Sequence, residues 1–296
     1  MDPPCETQNP YNISVTCRRF PMAIKNILIA YNGGEASDSA LHLALQMAAK
    51  YDAHLTGIVA HGASSVTRNI PKWLSNAMRE SITEITARRT EELAQKFRDQ
   101  ARDRIAEERL HWIDVREDPD RAVSDYSRLF DITVLGQYEN LISADELVLH
   151  PDRIAYESGR PILVAPKNFR VPEINEKAIV AWDGRRTAAR AFFDAMQILE
   201  TKREVEIVTV GKPERSPVPK PIDLVTILAR HNVEARHHFI PLSGSIADSI
   251  LKFSDEMDAG LLVMGAYEHS KLSEDLFGGV TASVLRKTKL PLFLSH

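Results

Sequence analysis

Gly265, Gly278, Gly279 and Thr281 mark the stretch of this sequence best suited to holding a small anion. Gly265 ends an apolar run and lets the backbone turn sharply. Gly278 and Gly279 precede a run of helical spacing through Val284 and Leu285. Glycines ahead of a helix let a phosphate approach exposed backbone N–H groups. Thr281 adds a hydroxyl donor, and His269, Ser270 and Lys271 supply further donors. A second stretch, Ala181-Trp182-Asp183-Gly184, closes another apolar run with an Asx-Gly turn. Asp183 either accepts from a ribose hydroxyl or shapes the turn, and the residues alone leave both roles open. The paired glycines alone would signal only a loop-to-helix turn. Both stretches together, in this order, point to a ligand site.

Other chemistries find less support. His237 and His238 are adjacent on an expected strand, so they face opposite sides and do not chelate one metal. His269 and Ser270 are neighbours in a loop with no acid placed to orient them. The run from Asn32 to Ser39 only partly matches the Ser-Gly-Gly-x-Asp-Ser loop of adenylating enzymes, because its leading serine is absent. His111 and Trp112 open a strand and are expected to pack. No residue is assigned to catalysis or to a metal.

The elements that position the site occur twice. Ile29-Ala30-Tyr31-Asn32-Gly33 recurs as Val180-Ala181-Trp182-Asp183-Gly184, about 150 residues later. Val134-Leu135-Gly136-Gln137-Tyr138-Glu139 recurs as Val263-Met264-Gly265-Ala266-Tyr267-Glu268, about 130 later. Arg160-Pro161-Ile162-Leu163-Val164 recurs as Leu290-Pro291-Leu292-Phe293-Leu294 at a similar distance. Short apolar runs place strands near 26–31, 54–60, 111–115, 131–136 and 161–165. The second set lies near 177–182, 204–210, 235–240, 260–265 and 291–295. Leu41, Ala44, Leu45 and Ala48 share a helix face. So do Ala191, Ala195, Ile198 and Leu199, and Ile246, Ile250, Phe253 and Met257. Strands alternating with amphipathic helices predict parallel sheets covered on both sides. The first half has an insertion, read as a long helix over 78–108 with Leu93, Phe97, Ala101 and Ile105 as its packed stripe.

In an open parallel sheet a ligand sits beyond the carboxyl ends of the strands, where strand order reverses. That position falls on the turns after the first and fourth strands of each half. There the sequence resembles the universal stress protein family in its tandem form, from residue 24 to 296. The family motif is Gly, two residues, Gly, nine residues, Gly, then a small residue. Gly265 matches the first glycine, Gly278 the third and Gly279 the small residue, while Glu268 stands at the second glycine. The resemblance implies an α/β chain of two Rossmann-like domains of the adenine nucleotide alpha hydrolase type, each a five-stranded parallel sheet flanked by helices. It implies a tail over 1–22, a first domain over 23–168 and a second over 174–296. Asp183 and the backbone around Ala181 and Val210 would hold the adenosine part, and Trp182 and Met264 are counted among the nucleotide-binding residues. Gly265, Gly278, Gly279, Val280 and Thr281 would surround ribose and phosphates, and Glu268, at the second glycine position, is counted among the nucleotide-binding residues.

The implied cofactor is ATP or another adenine nucleotide, with Mg if ATP. The implied role is a stress-response protein acting by nucleotide binding and association. A non-binding interaction protein of the same fold is the alternative, and a slow ATPase the third reading. Glu268, Glu274 and Asp275 would set negative charge near a phosphate. In the first half Glu139 takes the second glycine position, and Leu149, His150, Pro151 and Asp152 replace Gly278, Gly279, Val280 and Thr281. Bulk, a missing N–H and an acid together predict no ATP site of the usual form there. The resemblance also implies that the last strands of the two halves pair as an intrachain pseudo-dimer, with a further homodimer as a possible partner.

Composition agrees. A charged fraction of 26% and a hydrophobic fraction of 44% fit a globular protein with room for two cores. The net charge of −4 argues against general nucleic-acid binding. No apolar run reaches the roughly 18 residues of a membrane helix. Cys5 and Cys17 sit in a proline-punctuated tail without a signal-peptide pattern, so a reducing, cytoplasmic setting is expected.

Overall fold

The computed structural model describes residues 24–61, 75–137, 149–211, 222–266 and 279–296. The first half runs β1 (Asn26–Ala30), α1 (Glu35–Tyr51), β2 (His54–Ala60), α2 (Asn76–Ala101), β3 (Leu110–Val115), α3 (Pro119–Ser127), β4 (Ile132–Gly136), α4 (Pro151–Glu157) and β5 (Ile162–Ala165). The second runs β6 (Lys177–Ala181), α5 (Arg186–Asp194), α6 (Met196–Leu199), β7 (Glu204–Val210), α7 (Leu224–Arg230), β8 (Ala235–Ile240), α8 (Ile246–Glu256), β9 (Leu261–Gly265), α9 (Val280–Lys287) and β10 (Leu292–Ser295). The strands lie where their apolar runs place them: the inner strands are buried on both faces, while the outer strands β3 and β8 are half-buried or exposed along their length.

All ten strands form one sheet, ordered β3-β2-β1-β4-β5-β10-β9-β6-β7-β8. Within each half the strands are parallel. The halves meet through β5 and β10, which are antiparallel with Ile162, Leu163 and Val164 opposite Leu294, Phe293 and Leu292. This pairing covers two edges that would otherwise offer unpaired backbone groups.

The repeat is visible in backbone detail. Gly33 and Gly184 both take φ of 79°, the left-handed region that the turn after the first strand demands. Asn32 Oδ1 accepts from Gly34 N, and Asp183 Oδ1 accepts from Arg185 N, so both turns are closed the same way.

Four expectations need correction. The inserted helix ends at Ala101, not near 108; a turn and a short 3₁₀ segment at Glu107–Arg109 follow. Leu93, Phe97, Ala101 and Ile105 are all buried, so the stripe packs although its last member lies beyond the helix. The helix bearing Ala191 and Leu199 breaks into α5 and α6, and Ile246 is 45% exposed at the start of α8. His111 does not pack in the core: it is exposed and shares a hydrogen bond with His54, with the ring nitrogens 3.0 Å apart. Trp112 does pack, against Phe97 and Tyr31.

Lys202 is buried where the halves meet. Its Nζ donates to Asn175 O at 2.7 Å and lies 3.7 Å from Glu176. Glu176 is paired with Lys50, and Tyr51 shares a hydrogen bond with Thr201 beside them. Burial pushes the Lys202 amine down to about 8, against the raising pull of Glu176. The unfolded chain therefore holds the extra proton between about pH 8 and the ordinary lysine range near 10.5. Stability is expected to rise with pH across that window, by an amount on the order of 3 kcal/mol. Denaturant melts of the wild type should show this slope, and Lys202→Met should lack it.

Candidate functional site

The switch point of the second half lies between β6 and β9, which are hydrogen-bonded neighbours whose onward connections diverge to β7 and β10. At the carboxyl end of β6, Ala181 is buried on the face that α8 and α9 cover. Met264 of β9 lies in the same apolar layer, and Val210 of β7 and Val280 of α9 pack against it. Four of the expected adenosine- and phosphate-side residues are thus brought to one face of the sheet.

Trp182 is not among them. Its ring packs toward Phe192 of α5 on the opposite face, 6.3 Å between centroids. Its N–H donates to Val208 O, and its carbonyl accepts from Thr209 Oγ1. Side chain and backbone are both committed, so Trp182 supports the turn from behind. Asp183 is exposed at the turn, with one carboxylate oxygen closing it. The turn-forming role is therefore realised, with the carboxylate at the end of β6.

Gly265 serves close packing. A Cβ there would lie 2.5 Å from the Thr187 carbonyl carbon and 2.7 Å from Ala188 N, in the first turn of α5. Gly136 meets Ala36 of α1 in the same way. The glycine lets the helix seat directly on the strand end. Gly279, the N-cap of α9, is the opposite case: it is exposed, its φ is −70°, and among the described residues nothing lies within 4 Å of a Cβ built on it. Gly265→Ala is expected to cost about 1–3 kcal/mol because backbone must shift. Gly279→Ala should cost far less, and paired denaturant titrations check the contrast.

Gly279 has no side chain with which to cap α9, and the N-cap residues of α1, α4 and α5 likewise make no side-chain cap. Helices α2, α3, α7 and α8 are each capped by a serine or aspartate side chain. The first N–H groups of a helix lack intrahelical partners and carry partial positive charge. Thr281 is buried in the first turn rather than displayed at the surface. Lys287, at the far end of α9, is tied to Asp248 at 2.7 Å, and that pairing, with Ser245, holds the Asp248 carboxyl below its usual range. Glu268 and Gly278 lie outside the described residues, as do Glu139, His269, Ser270, Lys271, Glu274 and Asp275.

The first half fills the same place with its own side chains. Ala30, Tyr31, Asn32, Ala60, Val123 and Leu149 leave a cavity of about 10 Å³, room for a single water. Asp120 is 4% exposed and accepts from both the backbone N and the ring Nδ1 of His150, each at 2.8 Å. Arg153 approaches the same carboxylate at 3.4 Å. Burial pushes the Asp120 carboxyl up, while His150 and Arg153 pull it down. The corresponding position of α8 is Ala247, which has no charge to place there. An internal carboxylate thus stands beside the start of α4.

Among the described residues, no helix is long and apolar enough to cross a membrane, and no group of three His, Cys, Asp or Glu residues is placed to hold a metal.

A ten-stranded sheet of two doubly wound parallel halves defines a tandem Rossmann-like protein. Residues 175–296 match the universal stress protein family, and the second half is a domain of that family. A universal stress protein of Synechocystis sp. is 28% identical over 168 residues, which cover 55% of this chain and 57% of that protein. The match therefore spans just over half of that relative's length. A universal stress protein structure from Archaeoglobus fulgidus has a TM-score of 0.68 at 17% identity, covering 91% of this chain and 96% of its own. A Pseudomonas aeruginosa structure has a TM-score of 0.55 at 16% identity, covering 92% and 93%. The two structures share the fold over both halves.

Proposed function

We propose that this protein binds an adenine nucleotide at the switch point of its second half and acts in a stress response by binding and association. The observation that carries this reading is the contrast between the halves. In the second, α9 opens on Gly279, which has no side chain of its own and no described residue within 4 Å of its Cβ position. In the first, Asp120, His150 and Leu149 fill the equivalent space. The adenosine part would lie against Ala181, Val210 and Met264, with its ribose toward Asp183 and its phosphates toward Gly279 and Val280. ATP would bring Mg, and AMP would not need it. The reading takes residues 23–168 and 174–296 as the two domains, with the protein in the cytoplasm and the intrachain pair open to a further homodimer.

The test is the ligand content of protein purified without added nucleotide. Acid extracts analysed by mass spectrometry should contain AMP or ATP at no more than one per chain. Soaking apo protein with ATP should protect backbone amides at 279–282 from hydrogen exchange and leave 149–153 unchanged. Protection in the first half instead would overturn the assignment.

A second reading, an interaction protein that binds no nucleotide, draws on the apolar side chains around the outer strand β8. Phe239, Leu242 and Ile246 are 60%, 59% and 45% exposed there. Nucleotide-free protein with no amide protection would favour it.

A further inference from the structure

A cavity of about 20 Å³ lies in the seam between the two halves. Its walls are almost wholly apolar and include Leu43 and Met47 of α1, Leu163 of β5, Ile198 of α6 and Pro291 ahead of β10. Two amines also line it, Lys50 and Lys202. Their settings differ. Lys50 is partly exposed and holds Glu176 at 2.7 Å. The Lys202 side chain is 1% exposed. Its Nζ has one close acceptor, the neutral Asn175 carbonyl at 2.7 Å. The nearest carboxylate oxygen, on Glu176, is 3.7 Å away and already serves Lys50.

A buried ammonium with one neutral acceptor and a shared counter-charge is poorly compensated. Burial therefore favours the uncharged amine, and Lys50 pushes in the same direction. An uncharged amine keeps its lone pair and is a nucleophile. The space beside it is small and apolar, which admits a small uncharged electrophile and excludes charged ones.

We infer that Lys202 is a carbamylation site, at which the buried amine captures carbon dioxide from the seam cavity. The nitrogen lone pair attacks the carbon of CO2. One C–O π bond becomes a carboxylate lone pair, and a nitrogen proton leaves to solvent. Amine and CO2 thus give a carbamate anion and a proton, with no oxidant or reductant. The carbamate keeps one N–H, which continues to donate to Asn175 O. The Lys50 ammonium attracts the new negative charge, while the Glu176 carboxylate repels it. Capture would replace the buried amine by an anion in the seam, and so couple the seam to dissolved CO2.

The full chain is equilibrated with ¹³C-bicarbonate near pH 8, alkylated with triethyloxonium, digested and sequenced by mass spectrometry. The expected result is an ethyl carbamate on Lys202, rising with CO2 pressure and absent without bicarbonate. Lys202→Arg should lose the carbamate carbonyl resonance in ¹³C spectra of the folded protein, and Lys50→Met should lower the Lys202 yield severalfold. An unmodified Lys202 peptide, in a digest whose exposed carboxylates carry ethyl groups, would overturn the inference. Equal modification of Lys202 and exposed lysines would overturn it too, because no selective site would remain.

Discussion

Phe293→Ala is expected to lower stability by about 3–5 kcal/mol, the usual cost of truncating a buried phenylalanine. Phe293 is 1% exposed in β10 and stands opposite Leu163 of β5. Its neighbours Leu292 and Leu294 are fully buried and face Val164 and Ile162. The substitution removes a ring from the layer shared by both halves, at the one strand pair that joins them. The surrounding strands are fixed on both sides, so little collapse can fill the space. The same truncation at the surface makes the control. Leu129 is 77% exposed, and Leu129→Ala should change stability by no more than about 0.5 kcal/mol. Urea titrations of both variants check the pair. Equal effects would show that the seam does not hold the halves together as the sheet order implies.

Gly279→Asp is expected to move stability and ligand binding in opposite directions. Aspartate is a favoured N-cap residue, and its carboxylate can accept from the N–H groups of the next turn. The position has space for it and a negative φ of −70°. Stability should hold or rise, by up to about 1 kcal/mol. The same carboxylate would occupy the anion position and repel a phosphate, so nucleotide affinity should fall at least about tenfold, equivalent to about 1.4 kcal/mol. Calorimetric melts and nucleotide titration of one sample give both signs. A loss of stability together with binding would mean that the variant simply misfolds, and the site assignment would lose this support.

Much of the fold was legible because its strands are short, apolar and repeated. Runs such as the one ending Ile29-Ala30 signal buried parallel strands without reference to anything distant. The end of α2 was not legible. No glycine or proline lies between Ala101 and Ile105, so nothing local stops the helix. It ends where Ile105 turns into the core, which is a tertiary event.

The site divides in the same way. Period-two alternation already places Ala181 and Trp182 on opposite faces. The family resemblance drew the site across both, and the packing of Trp182 on Phe192 restores the alternation. Gly265 looked like a turn residue because its reason for being glycine, the backbone of Thr187 and Ala188, is far away in sequence. Asp120 carried no signal at all. Its meaning depends on His150, thirty residues on, folding back to meet it.

The central claim is that one half of this chain binds nucleotide and the other is filled from within. Equilibrium dialysis with radiolabelled ATP tests it most directly, on wild type and Gly279→Asp. The account predicts saturable binding at one site per chain, weakened by Gly279→Asp. Folded wild-type protein showing no saturable binding at millimolar ATP, or binding two nucleotides per chain, would contradict it.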